Sequence, residues 1–228
     1  MKRLVVALTL LCISELIMGQ PGPVASNSLR PPTYVQELFR NPVKPRYHAD
    51  IMGSPFLHDN WLMSTIQLTD DRVFDSIYVK LNGYDNMVHF MDANGDEMQT
   101  SIRVKQITIT DAASLWQGTV FRTGYGANQR QFYQVVQDGK NMQLLKKIYV
   151  TVWSTKALGE EEKKTFQLEQ EMVFAINNEI FKQNKSCNIL AEVIEKNEDK
   201  VREFVSANSI KCNKEEDMKK LVVFYNTL

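Results

Sequence analysis

The sequence predicts a mainly β protein, with an antiparallel β-meander that forms a rolled sheet, a sandwich or a barrel, followed by a short α-helical tail. Short segments of alternating apolar and polar residues succeed one another between residues 61 and 182, and turn pairs such as Asn82-Gly83 and Asp138-Gly139 separate them. Beyond residue 185 the apolar spacing becomes helical. No amphipathic helix lies between the strand segments, which excludes βαβ units and favours antiparallel connections.

The first nineteen residues have the composition of a cleavable signal peptide. Lys2 and Arg3 precede an apolar run that extends from Leu4 to Ile13, and Gly19 offers a cleavage position. The run is shorter than a membrane-spanning helix, and an uncleaved anchor is the alternative. We therefore expect residues 1–19 to direct export, and no later segment of the mature chain reaches transmembrane length.

The mature chain divides into three parts by composition. Residues 20–50 form a proline-rich lead-in without sustained periodicity, because each proline restricts itself and its neighbour. Residues 51–183 form the β-rich domain, and residues 184–228 form the helical C-terminal tail. In the β-rich domain we expect strands over 62–68, 73–81, 87–91, 98–102, 104–109, 119–122, 131–137, 142–153, 166–176 and 179–182.

The helical tail contains two candidate helix N-caps. Ser186 is a candidate N-cap for its first stretch, and Asn213 precedes Glu215 and Glu216 as the candidate cap of the final helix. The apolar faces of these helices must be covered, either by the outer face of the sheet of the same chain, which is the default expectation, or by a partner.

Charge and cysteine content limit the classes of function. The 228-residue chain has 27 basic and 27 acidic residues, so no overall positive field favours a nucleic-acid partner. Export would leave two cysteines, Cys187 and Cys212, in an oxidising compartment. They are candidates for a disulfide bond that ties the tail helices together, with two free thiols as the alternative, since spacing alone does not show proximity.

Several segments resemble a family of exported proteins from Bacteroidetes-type bacteria to which no activity is assigned. These segments are GSPFLHDNW at 53–61, QFYQVVQDGKNMQLLKK at 131–147, MVFAINNEIFKQNKS at 172–186 and KVREFVSANSIKCNKEEDMKKLVVFYNTL at 200–228. The resemblance implies a β-rich fold and location in the envelope of a Gram-negative bacterium, and it transfers no catalytic residues.

No motif predicts catalysis, a metal site or a cofactor. The pairs His48 with Asp50 and His58 with Asp59 offer an imidazole beside a carboxylate, yet such pairs are frequent in loops. His89 lies in the middle of a strand and is most simply a packing residue. The sequence contains no GxSxG nucleophile elbow, and so a hydrolase is the least favoured class.

The aromatic residues supply the candidate ligand site. Five of them could line a concave surface for a glycan or a small apolar molecule: Trp61, Trp116, Tyr125, Tyr133 and Trp153. The leading expectation is a non-enzymatic envelope protein that acts as an interaction or scaffold module, with another envelope protein as its partner. The alternative is a ligand-binding module. In either case we expect the protein in the periplasm, at the outer membrane or in the extracellular space.

Overall fold

A computed structural model of the chain describes residue 44 and residues 48–92, 94–159, 161–182 and 197–228. The predicted signal peptide, most of the proline-rich lead-in and the first predicted tail helix, with Ser186 and Cys187, lie outside the described residues. The described part contains eleven strands and two helices.

The described strands join in one eleven-stranded sheet. Ten of them overlap the expected segments, because alternation of apolar and polar residues specifies which face of each strand is buried. The strands are β1 (Ile51–Met52), β2 (Leu62–Leu68), β3 (Val73–Asn82), β4 (Met87–Met91), β5 (Glu97–Gln99), β6 (Val104–Ile109), β7 (Val120–Arg122), β8 (Tyr133–Gln137), β9 (Gln143–Thr155), β10 (Lys163–Ile176) and β11 (Glu179–Lys182). β1 was not expected, and β5 ends at Gln99 rather than at residue 102.

The sheet confirms the mainly β prediction, with two departures from a simple meander. Its order is β1-β10-β9-β8-β7-β6-β2-β3-β4-β5, and β11 pairs with β10. Consequently β6 returns to lie beside β2, and β5 remains at an edge. β1 runs parallel to β10 in the register Ile51↔Lys164, whereas the other described pairings are antiparallel.

The open sheet curls until β9 reaches the turn between β3 and β4. The backbone N–H of Val150 donates to the carbonyl oxygen of Gly83 at 3.0 Å. Register shifts in the β2–β3, β2–β6 and β8–β9 pairs account for part of this curvature, because a bulge increases local twist. In β3, Ser76 adopts φ 60° opposite the shift in β2.

The main core lies on the inner face of this curled sheet. Its fully buried side chains come from both halves of the sheet and include Ile66, Ile77, Phe90, Ile107 and Phe121. Ile148 and Val150 of β9 join the same cluster. β9 therefore packs against side chains of β2, β3, β4 and β6, and this packing stabilises the curled form of the sheet.

The two helices are α1 (Glu198–Ala207) and α2 (Glu215–Tyr225). They pack against the start of β9 and the end of β10. Leu144 of β9 contacts this helical cluster, and it lies on the same face as Ile148 because strand residues alternate between faces. One face of β9 thus contributes side chains to both the main core and the helical cluster. None of the helices in the described residues is long and apolar enough to cross a membrane.

The predicted cap of the final helix is wrong. The N-cap of α2 is Lys214, with no hydrogen bond from its side chain, rather than Asn213. The carboxylate of Asp217 accepts a hydrogen bond from the backbone N–H of Lys211 at 3.1 Å. An acidic side chain in the first turn, which also suits the helix dipole, therefore fastens the preceding loop.

Candidate functional site

The segment that precedes β2 is fixed across the end of β3. Phe56 forms an isolated antiparallel bridge with Asn82, and the N–H of Leu57 donates to the carbonyl oxygen of Leu81 at 2.9 Å. The N–H of Gly83 donates to the carbonyl oxygen of Pro55 at 2.8 Å. These bonds hold residues 53–61 as an ordered wall rather than as a free loop.

A cleft of about 640 Å³ opens between this wall and the connection from β6 to β7. Two predicted ligand-lining residues, Trp61 and Trp116, both line it. The other lining residues come from both segments: His58, Asp59, Asn60, Leu62, Asp111, Ala113, Ser114 and Leu115. The cleft is the place where the tertiary structure gathers aromatic and polar side chains on one accessible surface.

The β6–β7 connection presents Trp116 in a defined position. The Asp111 carboxylate accepts a hydrogen bond from the N–H of Ala113 at 3.0 Å, and the Ser114 hydroxyl accepts one from the N–H of Trp116 at 3.1 Å. Such local side-chain bonds replace regular secondary structure in a turn. The indole of Trp116 stacks on the buried ring of Phe121, with centroids 5.7 Å apart. One ring face is therefore anchored on the core, while the neighbouring Leu115 is fully exposed.

Trp61 is positioned by a lysine from the sheet. The ammonium group of Lys80 lies 4.9 Å from the centroid of the Trp61 ring and 5.2 Å from that of Phe56. A cation held at this distance from an aromatic ring is attracted by the ring quadrupole. Lys80 thus links the wall segment to β3 and orients Trp61 toward the cleft region.

His58 contributes a neutral imidazole to the cleft. Its Nδ1–H donates to the carbonyl oxygen of Asn60 at 2.8 Å, whereas its buried Nε2 has no hydrogen-bond partner among the described residues. Burial lowers the pKa of His58 below 6.5, and the charge of Lys80 acts in the same direction. At neutral pH, Nε2 is therefore an unused hydrogen-bond acceptor.

The sequence pair His58 and Asp59 does not form an imidazole–carboxylate couple. Asp59 accepts a hydrogen bond from the hydroxyl of Ser54 at 2.5 Å, and His58 bonds to the backbone. His48 faces the rings of Tyr84 and Phe166 at 5.3 and 6.0 Å between centroids. His58 is therefore oriented by a backbone carbonyl rather than by a carboxylate.

The other predicted ligand-lining residues lie elsewhere. Tyr125 and Tyr133 pack edge to face, 5.5 Å apart, and the second of them lines a separate open cleft. Trp153 stands on the outer face of β9, where its indole N–H donates to Glu169 at 3.3 Å. Hydrogen bonds from Thr151, Trp153 and Tyr149 lower the pKa of the Glu169 carboxyl. The five aromatic residues therefore form two pairs and one isolated ring rather than a single surface.

Cys212 is buried and disulfide-bonded. It packs with Val201, Ile210 and Met218 in the helical cluster, at the connection between α1 and α2. Cys187, the predicted partner, lies outside the described residues, so the pairing of these two cysteines stays a prediction.

Sequence reasoning missed one couple of ionisable groups. His89, expected to be a packing residue, lies on β4 and is 2% exposed. Its Nδ1–H donates to the Glu97 carboxylate of β5 at 2.7 Å. The only available signal was their position on either side of the Asn94-Gly95 turn, because a hairpin brings such residues close together.

Metal binding and relatedness to known proteins give no further assignment. Among the described residues, no group of three or more His, Cys, Asp or Glu side chains is arranged to hold a metal ion. Comparison with protein-family models, with curated proteins and with solved structures finds no match for the chain.

Proposed function

We propose that this protein is an exported, non-enzymatic binding module whose Trp61–Trp116 cleft takes a neutral glycan. The observation that carries the proposal is the joint presence of two indole rings and several polar side chains around one accessible cleft of about 640 Å³. Ligand sites commonly combine aromatic walls with a few fixed polar groups. Export is supported by the signal-peptide pattern of residues 1–19 and by the resemblance to exported envelope proteins.

The polar residues favour a glycan over a purely apolar ligand. Asp59, Asn60, Asp111 and Ser114 share the cleft with the two tryptophans. An apolar molecule would remove water from these groups without replacing their hydrogen bonds, which is costly. A sugar offers both an apolar ring face to an indole and hydroxyl groups to carboxylates and amides, so it matches both kinds of surface.

The sheet makes the site rigid enough to recognise a ligand. Trp116 is stacked on Phe121, and the segment carrying Trp61 is bonded to β3 through Leu57. A preformed site loses less conformational entropy when a ligand binds. The cleft therefore needs little rearrangement before it can accept a sugar.

A direct test uses cellotetraose and the tetramer of N-acetylglucosamine as probes for the mature chain. We expect tryptophan fluorescence to change on addition of at least one of them, and Trp116→Ala to weaken its binding at least about tenfold, which is a loss of about 1.4 kcal/mol. Trp61→Ala should have an effect in the same direction. Isothermal titration calorimetry supplies the affinities.

Trp153→Ala is the matched control, because Trp153 lies on the outer face of β9 and is 54% exposed. It should leave the affinity unchanged. Circular dichroism and thermal melting establish that each variant is folded. The proposal fails if neither tetrasaccharide binds, or if Trp153→Ala weakens binding as much as the cleft variants do.

An interaction or scaffold role is the second candidate, supported by exposed large apolar side chains. Leu115 and Leu158 are fully exposed, and Leu168 is more than half exposed. These residues lie on the β6–β7 connection, the β9–β10 connection and β10. We rank the glycan proposal first because its cleft combines two indole rings with several polar side chains. Crosslinking in the host followed by affinity capture would test for an envelope protein partner.

A further inference from the structure

The edge of β10 that faces away from β9 is only partly occupied. On that side β1 pairs with residues 164–165, and β11 pairs with residues 173–176. Gly53, which follows β1, lies against the backbone of Phe166. None of the other described residues pairs with residues 167–172 on this side. The N–H and C=O groups that point to the edge in this gap therefore have no strand partner in the described part of the chain.

Residues 167–172 have none of the features that usually block an open edge. They include no proline and no lysine. Their register with β9 is continuous, so no bulge twists the edge away. Leu168 is 57% exposed, and Gln167 and Gln170 are exposed as well. The gap is accessible and has the regular geometry that an added strand needs.

Leu168 favours an apolar neighbour in such a strand. It lies directly opposite Val150 of β9, which is 5% exposed and belongs to the main core. Leu168 is far more exposed than Val150, because no described strand covers its other side. An added strand would place a side chain on this face with its Cβ about 4.5–5.5 Å from that of Leu168. An apolar side chain at that position would extend the core row.

Glu169 favours a cationic neighbour. Its Oε1 accepts hydrogen bonds from Thr151 at 2.8 Å and from Trp153 at 3.3 Å, and its Oε2 accepts one from Tyr149 at 3.1 Å. These three donors are neutral, and no lysine or arginine of the described residues forms an ion pair with Glu169. Because a carboxylate accepts about four hydrogen bonds, Oε2 retains an acceptor site. A basic side chain beside it would complement its charge.

The length of the gap selects a short peptide rather than a second copy of this chain. Residues 167–172 span about 20 Å of strand, and β1 and β11 close the two ends. The β10 strand of a second copy has 14 residues, so it would overlap β1 or β11. We propose that this gap binds a short extended peptide of a partner protein by strand addition, with an apolar side chain beside Leu168 and a lysine or arginine beside Glu169.

Two blocked seven-residue peptides of opposite charge test the proposal. Valine alternates with lysine in one and with glutamate in the other. NMR follows hydrogen–deuterium exchange in the mature chain, and we expect the edge-facing amides of residues 167–172 to exchange about tenfold more slowly once the lysine peptide is bound. In NMR titrations the lysine peptide should bind at least about threefold more tightly than the glutamate peptide, because opposite charges on neighbouring strands attract.

Two charge-reversal variants locate the effect. Glu169→Lys should reverse the preference, so that the glutamate peptide binds more tightly. Glu203→Lys is the matched control, because Glu203 is exposed on α1 and its reversal changes the net charge equally. It should leave the preference unchanged, and so should Trp116→Ala in the glycan cleft. If circular dichroism shows that Glu169→Lys does not fold, the comparison of the two peptides on the unaltered chain still decides.

Slow exchange of every amide of residues 167–172 in the free chain would overturn the proposal, because another segment of the chain or a second copy would then occupy the gap. Equal affinities for the two peptides, or no protection by the lysine peptide, would overturn it as well. The result is independent of the glycan proposal, since the tetrasaccharides are measured on the tryptophan cleft.

Discussion

The side chain of Asn226 forms hydrogen bonds with both backbone groups of Met142, which joins the end of α2 to the turn before β9. Its Oδ1 accepts from the N–H of Met142 at 3.3 Å and from that of Asn141 at 2.7 Å. Its Nδ2 donates to the carbonyl oxygens of Met142 and Val222, each at 2.8 Å. One amide therefore caps the last helix and fastens it to the sheet.

Asn226→Ala should lower the free energy of unfolding by about 1–3 kcal/mol, because the backbone groups of the turn would lose their partners. Urea denaturation at neutral pH measures this change. Asn208→Ala is the matched control at the end of α1, where the amide donates only to Phe204 of its own helix. A loss for Asn226→Ala no larger than that of the control would contradict the clamp.

Gly83→Ala tests the contact that holds the sheet in its curled form. A Cβ atom at Gly83 would lie 2.5 Å from Cδ2 of Leu57 and 3.0 Å from Cγ2 of Val150. We expect a loss of about 1–3 kcal/mol from overpacking. In the Leu57→Ala background the same glycine substitution should cost less, because the nearest atom is gone. A double-mutant cycle measures this coupling, and equal costs in both backgrounds would refute the contact.

The buried imidazole of His58 should make the protein sensitive to mild acid. Because burial lowers its pKa in the folded state below 6.5, the unfolded chain binds more protons as the pH falls. Its contribution to stability is therefore complete above pH 6.5 and is lost below that value. His58→Asn, which retains a donor toward Asn60 and does not titrate, should lose less stability than the parent chain between pH 7.5 and 5.5. Equal losses in urea denaturation would rule this out.

The cysteine prediction is tested by intact mass. In the mature chain we expect Cys187 and Cys212 to be bonded to each other, so that iodoacetamide adds to neither before reduction and to both afterwards. Denaturant is present in both reactions, so that burial of Cys212 does not protect a free thiol. Two additions without reductant would show free thiols and reject the disulfide.

Export is tested at the N-terminus. Cleavage after Gly19 should yield a mature protein that begins at Gln20. The N-terminal peptide of the protein recovered from its host identifies the first residue by mass spectrometry. Recovery of an N-terminal peptide containing Lys2 and Arg3 from membrane fractions would instead support the uncleaved anchor.

Local pattern was enough to predict most of the elements. In β2 the buried residues Leu62, Ser64, Ile66 and Leu68 follow the alternation seen in the sequence, and the Asn94-Gly95 hairpin joins β4 to β5 as expected. The final helix was also predicted, although its N-cap was not. These features depend on interactions between residues that are close in the chain, so their signals are present in short windows of sequence.

Such short windows of sequence do not show which strands, distant in the chain, pair with each other in the sheet. Nothing in the composition of β6 distinguishes pairing with β2 from pairing with β5, and β1 is too short to show that it lies parallel to β10. The same limit applies to the site. Trp61 and Trp116 are 55 positions apart in the chain yet line one cleft, whereas Trp153 lies on another face.

Local periodicity is enough to specify the mainly β class, the turn positions and the amphipathic faces, because backbone geometry converts it directly into strands and helices. The complete fold is needed to bring aromatic rings to one cleft, to pair His89 with Glu97 and to bond Asn226 to Met142. Such contacts arise when the whole sheet curls and side chains pack from distant positions, so their energies depend on the complete fold rather than on neighbouring residues.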